Sequence, residues 1–185
     1  NTEEERLLGV SLTGIMDNSI INRRRERLPE ILQSMRNKAV VTNKEWAEKL
    51  GIPQSTAITC VKPSGTVSQL VDSASGIHAR HNPYYIRTVR GDKKDPLTQF
   101  MADQGIPCED DVMQPNNSVF SFPMKADSSA IFRYTMTAIE QLEIWKCYAQ
   151  NWCEHKPSVT ISVKEHEWIN VCLLYTSPSP RDLST

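Results

Sequence analysis

Six consecutive residues, Pro63, Ser64, Gly65, Thr66, Val67 and Ser68, have the types and spacing that could do chemistry. Proline and glycine make a tight turn, three hydroxyls supply hydrogen-bond donors, and Gly65 has no side chain to keep a ligand away. Val67, Leu70 and Val71 then follow at spacings of three and four, which predicts a helix opening at the turn. The first turn of a helix carries backbone N–H groups without intrahelical partners, so such an end attracts phosphate. Lys62 would add a positive charge if its side chain turned to the same mouth. The same residues would also serve an ordinary capped helix, with Ser64 or Thr66 at the N-cap. The run lacks the Gly-Lys-Ser/Thr ending of a Walker loop and does not fit Gly-x-Gly-x-x-Gly.

Other groups point less clearly to chemistry. His78 and His81 have no carboxylate or thiolate beside them, which makes a weak metal site, and Cys153-Glu154-His155 supplies only half of a zinc set. Glu109-Asp110-Asp111 lacks the glycine turn and further carboxylate of a calcium loop and is expected to be solvated surface. Arg87 and Arg90 could meet phosphate, although exposed strand arginines are commoner. The five cysteines, at 60, 108, 147, 153 and 172, form no Cys-x-x-Cys pair and no regular framework, as in a reducing compartment. No metal site is assigned.

The elements that must position the turn are legible from pattern. Thr56 to Val61 is rich in β-branched residues and lies between Pro53 and Pro63, which predicts a short buried strand leading into it. Upstream, a helix is expected from about Ile20 to Asn37, with Pro29 as a break or a fresh first turn. A second helix is expected from Thr42 or Asn43, where Thr42-x-x-Glu45 fits a capping box, to Gly51. Downstream, Tyr84 to Arg90 reads as a strand ending at Gly91-Asp92, and Asp95-Pro96 opens a short helix closed by Gly105. Val119 to Phe122 reads as a strand cut off by Pro123. Thr137-x-x-Glu140 opens a long helix with Ala138, Leu142, Trp145, Ala149 and Trp152 on one stripe, and Ser158 to Val163 alternates strictly like a strand.

The 185 residues carry a net charge of -1 and are 39% hydrophobic, enough for a packed core. Near-neutral charge argues against a nucleic-acid partner, and no apolar run approaches the roughly 20 residues that span a bilayer. A cytoplasmic protein without membrane association is the expectation.

The string Val61-Lys62-Pro63-Ser64-Gly65-Thr66-Val67-Ser68-Gln69-Leu70, followed by Ser75-Gly76-Ile77-His78 and Tyr84-Tyr85-Ile86-Arg87, resembles the adenosylcobalamin-dependent, class II ribonucleotide reductases. The monomeric type that reduces ribonucleoside triphosphates is the nearest. Residues 152 to 163 and Glu165-His166-Glu167-Trp168 carry the same resemblance, which runs from about Glu5 to Val171. It implies an α/β fold, part of a ten-stranded α/β barrel, with residues 1–171 inside the catalytic barrel and 63 to 68 holding the phosphates of the substrate nucleotide. Within that barrel Val159, Ile161 and Val163 would face the outer helices, and the hydroxyls between them the lumen.

The resemblance further implies thiyl radical chemistry begun by adenosylcobalamin, a ribonucleoside triphosphate substrate, a deoxynucleotide effector and a thioredoxin-type reductant. None of the five cysteines sits in the Asn-Pro-Cys-Gly-Glu-like segment that carries the family's radical cysteine, so no catalytic residue is assigned and the chain alone is expected to be inactive. Residues 172–185 depart from the family, are rich in Ser, Pro and Thr, and are expected to be disordered read-through. A diphosphate-reducing enzyme, the large subunit of an iron-dependent reductase and a non-catalytic nucleotide-binding module remain open alternatives.

Overall fold

The structure is a computed structural model, in which residues 2–22 and 26–176 are described. In chain order the elements are α1 (Thr2–Glu5), β1 (Leu7–Ser11), α2 (Leu28–Leu50), β2 (Ala57–Cys60), α3 (Val67–Leu70), β3 (Tyr84–Asp92), α4 (Pro96–Asp103), β4 (Cys108–Asp110), β5 (Asn117–Lys125), α5 (Ala138–Asn151) and α6 (Trp168–Thr176). Single 3-10 turns lie at Ile15–Asp17 and Glu165–Glu167. His81–Asp127 forms one compact unit, and the described residues on either side of it form another.

In the larger unit β1 and β2 pair in parallel, with Leu7 opposite Ala57, Val10 opposite Thr59, Ser11 opposite Cys60, and a bulge between the first two pairs. Every residue of β1 is exposed, whereas Ala57, Ile58 and Thr59 are buried, as expected of a β-branched run between two prolines. The core joins Ile15, Leu28, Leu32, Val61, Ile77, Ile144, Tyr148 and Trp152. Two buried aromatics fix it with polar tips: Trp152 Nε1 donates to the Cys60 carbonyl at 2.7 Å, and the Tyr148 hydroxyl to the Ile21 carbonyl at 3.0 Å. Burial raises the pKa of Tyr148, and raises that of Cys153 to about 11, so both stay protonated.

Several expectations are corrected here. The two helices expected between Ile20 and Gly51 are one, α2, with Pro29 in its first turn and Gly51 ending it at φ 66°. No glycine or proline separates Arg36 from Thr42, so nothing interrupts the helix, and Thr42 lies in its middle. The capping box on Thr137 and Glu140 forms, but the face of α5 that is buried includes Gln141, Ile144, Cys147 and Tyr148, beside the expected stripe. Ser158 to Val163 alternates in burial but joins no ladder among the described residues. Residues 172 to 176 lie in α6, contrary to the expected disorder; the expectation for 177–185 falls outside the described residues.

In the smaller unit β5 is central to an antiparallel sheet of order β3-β5-β4. β5 runs through Pro123, which pairs with Ile86. β4 extends only as far as Phe120, so beyond it β5 is an edge strand on that side, where proline costs no ladder bond. Glu109 and Asp110 lie in β4, not in a loop, and Asp111 is buried. Arg90 Nε donates to Asp111 Oδ2 at 2.7 Å. The Met113 amide, foremost, and Arg90 hold the Asp111 carboxyl below the usual aspartate range, against the opposing effect of burial. Asp95 caps α4 by accepting from the Leu97 amide at 2.9 Å, as its sequence predicts.

Candidate functional site

β2 delivers the chain to the turn. Its amides at Ile58 and Thr59 are received by one carboxylate oxygen, Glu154 Oε2, and the Thr59 hydroxyl donates to the Trp152 carbonyl at 2.6 Å. Arg36 pairs with the other Glu154 oxygen at 3.4 Å. Burial alone would raise the Glu154 pKa, but the two amides and Arg36 outweigh it and hold the carboxyl below the usual glutamate range. One glutamate therefore takes the place that a neighbouring strand would otherwise fill.

The turn lies just past the carboxyl ends of the parallel strands, with Lys62 N donating to Ser11 Oγ at 3.0 Å. In α/β sheets ligands bind outside that end. The predicted helix is one turn only, and Val67, Leu70 and Val71 are 65%, 86% and 67% exposed, so the apolar spacing does not mark a packed face. With four residues its dipole is small, and any grip on an anion falls to individual donors.

The donors sort unevenly. Ser68 is fully buried; its hydroxyl donates to the Ser64 carbonyl at 2.7 Å, and its amide to Ser64 Oγ at 3.0 Å. Ser68 therefore closes the turn on itself and offers nothing outward, contrary to the expected hydroxyl trio. Thr66 is the N-cap without a side-chain cap bond, and Ser64 Oγ, two residues earlier, satisfies the first-turn amide of Ser68 instead. The Thr66 and Val67 amides have no hydrogen-bond partner among the described residues. A Cβ built on Gly65 would meet nothing within 4 Å, so the space over the turn is open. Pro63, Gly65 and Thr66 are exposed, and Lys62 is exposed and makes no ion pair among the described residues.

Behind the turn, residues 72 to 80 form a clamp that no local spacing announces. Arg80, 6% exposed, donates through Nε and Nη2 to the Asp17 carboxylate at 3.0 to 3.2 Å and through Nη1 to Asp72 at 3.3 Å. Asp17 also receives the Ala74 amide at 2.7 Å. His78 lies beside this loop, while His81 belongs to the other unit. Among the described residues no three His, Cys, Asp or Glu side chains gather as a metal site requires, and no helix is long and apolar enough to cross a membrane. A cavity of about 430 Å³ between α5 and residues 156 to 161, lined by Leu142, Trp145 and Lys156 among others, is too small for a corrin with its nucleotide loop.

Glu154, Arg80, Asp17 and Asp72 escaped the sequence reading because each acts across 57 to 96 residues or through a buried loop. The one local signal was weak: a glutamate directly after the buried Trp152-Cys153 pair.

No protein-family model matches the chain. It is 30% identical over 146 residues, 75% of its length, to an adenosylcobalamin-dependent ribonucleoside-triphosphate reductase from Lactobacillus gasseri, covering 20% of that protein. The reductase of the same description from Euglena gracilis is 29% identical over 85% of this chain and 22% of its own. The chain thus spans about a fifth of the length of the curated relatives it matches. A B12-dependent, class II ribonucleotide reductase of known structure superposes with a TM-score of 0.76 over 92% of this chain and 28% of its own, at 23% identity. That structure supports the α/β fold; the described sheets of two and three strands do not themselves form a barrel. By sequence and by fold the chain is a relative of the adenosylcobalamin-dependent, class II ribonucleotide reductases, matched over one stretch of their length.

Proposed function

We propose that this chain is the substrate-phosphate-holding segment of a reductase that converts ribonucleoside triphosphates to 2′-deoxyribonucleotides. The observation that carries the reading is the open turn at residues 63 to 68, with the Thr66 and Val67 amides and the Lys62 side chain unpartnered among the described residues, at the carboxyl ends of two parallel strands. The relatives' names supply the substrate class. Pro63 and Gly65 shape the mouth, the Thr66 and Val67 amides donate to phosphate oxygens, Ser64 adds its hydroxyl, and Ser68 holds the turn closed from within.

In the complete enzyme adenosylcobalamin would supply the radical that begins the chemistry; the cavity between α5 and residues 156 to 161 does not fit it. What these residues contribute is binding and orientation of the charged tail, which keeps the ribose in register while the reaction proceeds elsewhere. A deoxynucleotide effector and a thioredoxin-type reductant belong to the same proposal.

Gly65→Val tests it, because a β-branched side chain would enter the open space without touching the core. In a full-length reductase carrying these residues, calorimetric titration is expected to show at least about tenfold weaker binding of a ribonucleoside triphosphate, the equivalent of one or two lost hydrogen bonds to a charged group, at nearly unchanged melting temperature. Equal affinity in the variant would remove the phosphate assignment.

A further inference from the structure

The turn is not shaped by its own residues alone. Ser64 N donates to Ser75 Oγ at 2.7 Å, across 11 residues of chain. The Ser75 carbonyl in turn receives both the backbone amide of His78, at 2.9 Å, and the ring nitrogen Nδ1, at 3.2 Å. A carbonyl oxygen only accepts, so Nδ1 carries a proton in this contact, while Nε2 lies 3.4 Å from the Thr160 hydroxyl.

The loop that bears Ser75 is itself held in place. Thr13 Oγ1 donates to the Ala74 carbonyl at 3.1 Å and accepts from the Gly76 amide at 3.0 Å, so one side chain brackets Ser75 from both sides. Gly76 has φ 53°, and a Cβ there would stand 3.2 Å from the Lys62 carbonyl oxygen. Only glycine lets this loop lie so close against the backbone that enters the turn.

We propose that Ser75, steadied by His78, is a positioning residue for the phosphate turn, an inference that rests on the reading of residues 63 to 68 as a phosphate site. Ser75 draws the Ser64 amide inward and fixes the Pro63–Ser64 peptide, one residue before Gly65. The amides left for a ligand are then those of Thr66 and Val67, in a geometry set before the ligand arrives rather than on binding.

The test is calorimetric titration of inorganic triphosphate, which carries no base or sugar, into a full-length reductase bearing these residues, with the melting temperature recorded for each variant. Ser75→Ala is expected to weaken binding about three- to tenfold, the worth of one hydrogen bond that orients others, and Ser75→Thr to restore it. His78→Phe, which keeps a ring but neither nitrogen, is expected to weaken binding as Ser75→Ala does. His78→Asn retains a donor where Nδ1 stands and is expected to stay within about twofold of the parent. Should Ser75→Ala not fold, the two His78 variants carry the comparison. Lowered melting temperatures with parental triphosphate affinity in both Ser75→Ala and His78→Phe, while Gly65→Val still weakens binding at least about tenfold, would overturn the positioning role alone. Parental affinity in Gly65→Val as well would overturn the phosphate reading and this inference with it.

Discussion

β1 and β2 share three registered pairs broken by a bulge, whereas β3 and β5 run through nine without interruption, from Tyr84 opposite Lys125 to Asp92 opposite Asn117. Yet β2 is the buried strand, and β3 leaves Tyr84 and Ile86 about 70% exposed. In the smaller unit the backbone ladder does most of the holding, so side chains on β3 are free to vary. In the larger unit a short parallel pair cannot hold itself, and side chains from distant parts of the chain substitute for the missing ladder: Glu154 at two amides, Thr59 and Trp152 tying strand to helix end, and Arg80 between two aspartates. The region proposed to grip substrate is the one built from polar side-chain contacts.

Breaking that contrast at its strongest point means removing Arg80. Arg80→Ala leaves the Asp17 carboxylate, only 13% exposed, without its partner, and is expected to cost about 3–5 kcal/mol in urea unfolding. A loss below about 1 kcal/mol would show that the loop behind the turn is held by something other than this clamp.

Glu154→Gln comes next, at about 1–3 kcal/mol, because an amide cannot accept from two backbone donors and Arg36 with a carboxylate's strength. It also carries a sign in pH. The native Glu154 pKa lies below its unfolded value, so its contribution is full above the ordinary glutamate range and is lost as pH falls through the lower, native value. Unfolding curves between about pH 6 and 3 are expected to show a shallower acid loss in Glu154→Gln than in the parent. Parallel acid limbs would mean that the carboxylate is not the group that titrates.

The smallest effect sharpens the other side of the comparison. Ile86→Thr on β3, 69% exposed, is expected to change stability by no more than about 0.5 kcal/mol. A cost above about 1.5 kcal/mol in the same unfolding assay would show that β3 depends on its side chains after all.

What was legible in the sequence was whatever is settled within a few residues. The Thr137 and Glu140 capping box, the Asp95-Pro96 helix start, the buried run of β2 and the alternation of β3 all stand where their local chemistry puts them. Local rules misled where a neighbour decided the outcome. Thr42-x-x-Glu45 has the form of a cap, but an unbroken helix runs through it. Pro123 has the form of a stop, but β4 ends short of it. At the turn, the strand and the tight bend were readable, while the inward use of Ser68 and the bond from Ser64 to Ser75 depend on how the chain doubles back. Glu154 and Arg80 act on partners that only folding brings near, and no spacing rule reaches them.

β1 pairs with β2 along one side only among the described residues, and it presents Leu7, Leu8 and Val10 to solvent. A strand of that kind is a template for any extended chain that meets it, a second copy included. In the isolated chain, native pairing with β2 therefore competes with self-association. The colloidal behaviour of the isolated chain, more than its folding free energy, is expected to set the concentrations at which the proposed phosphate binding can be measured.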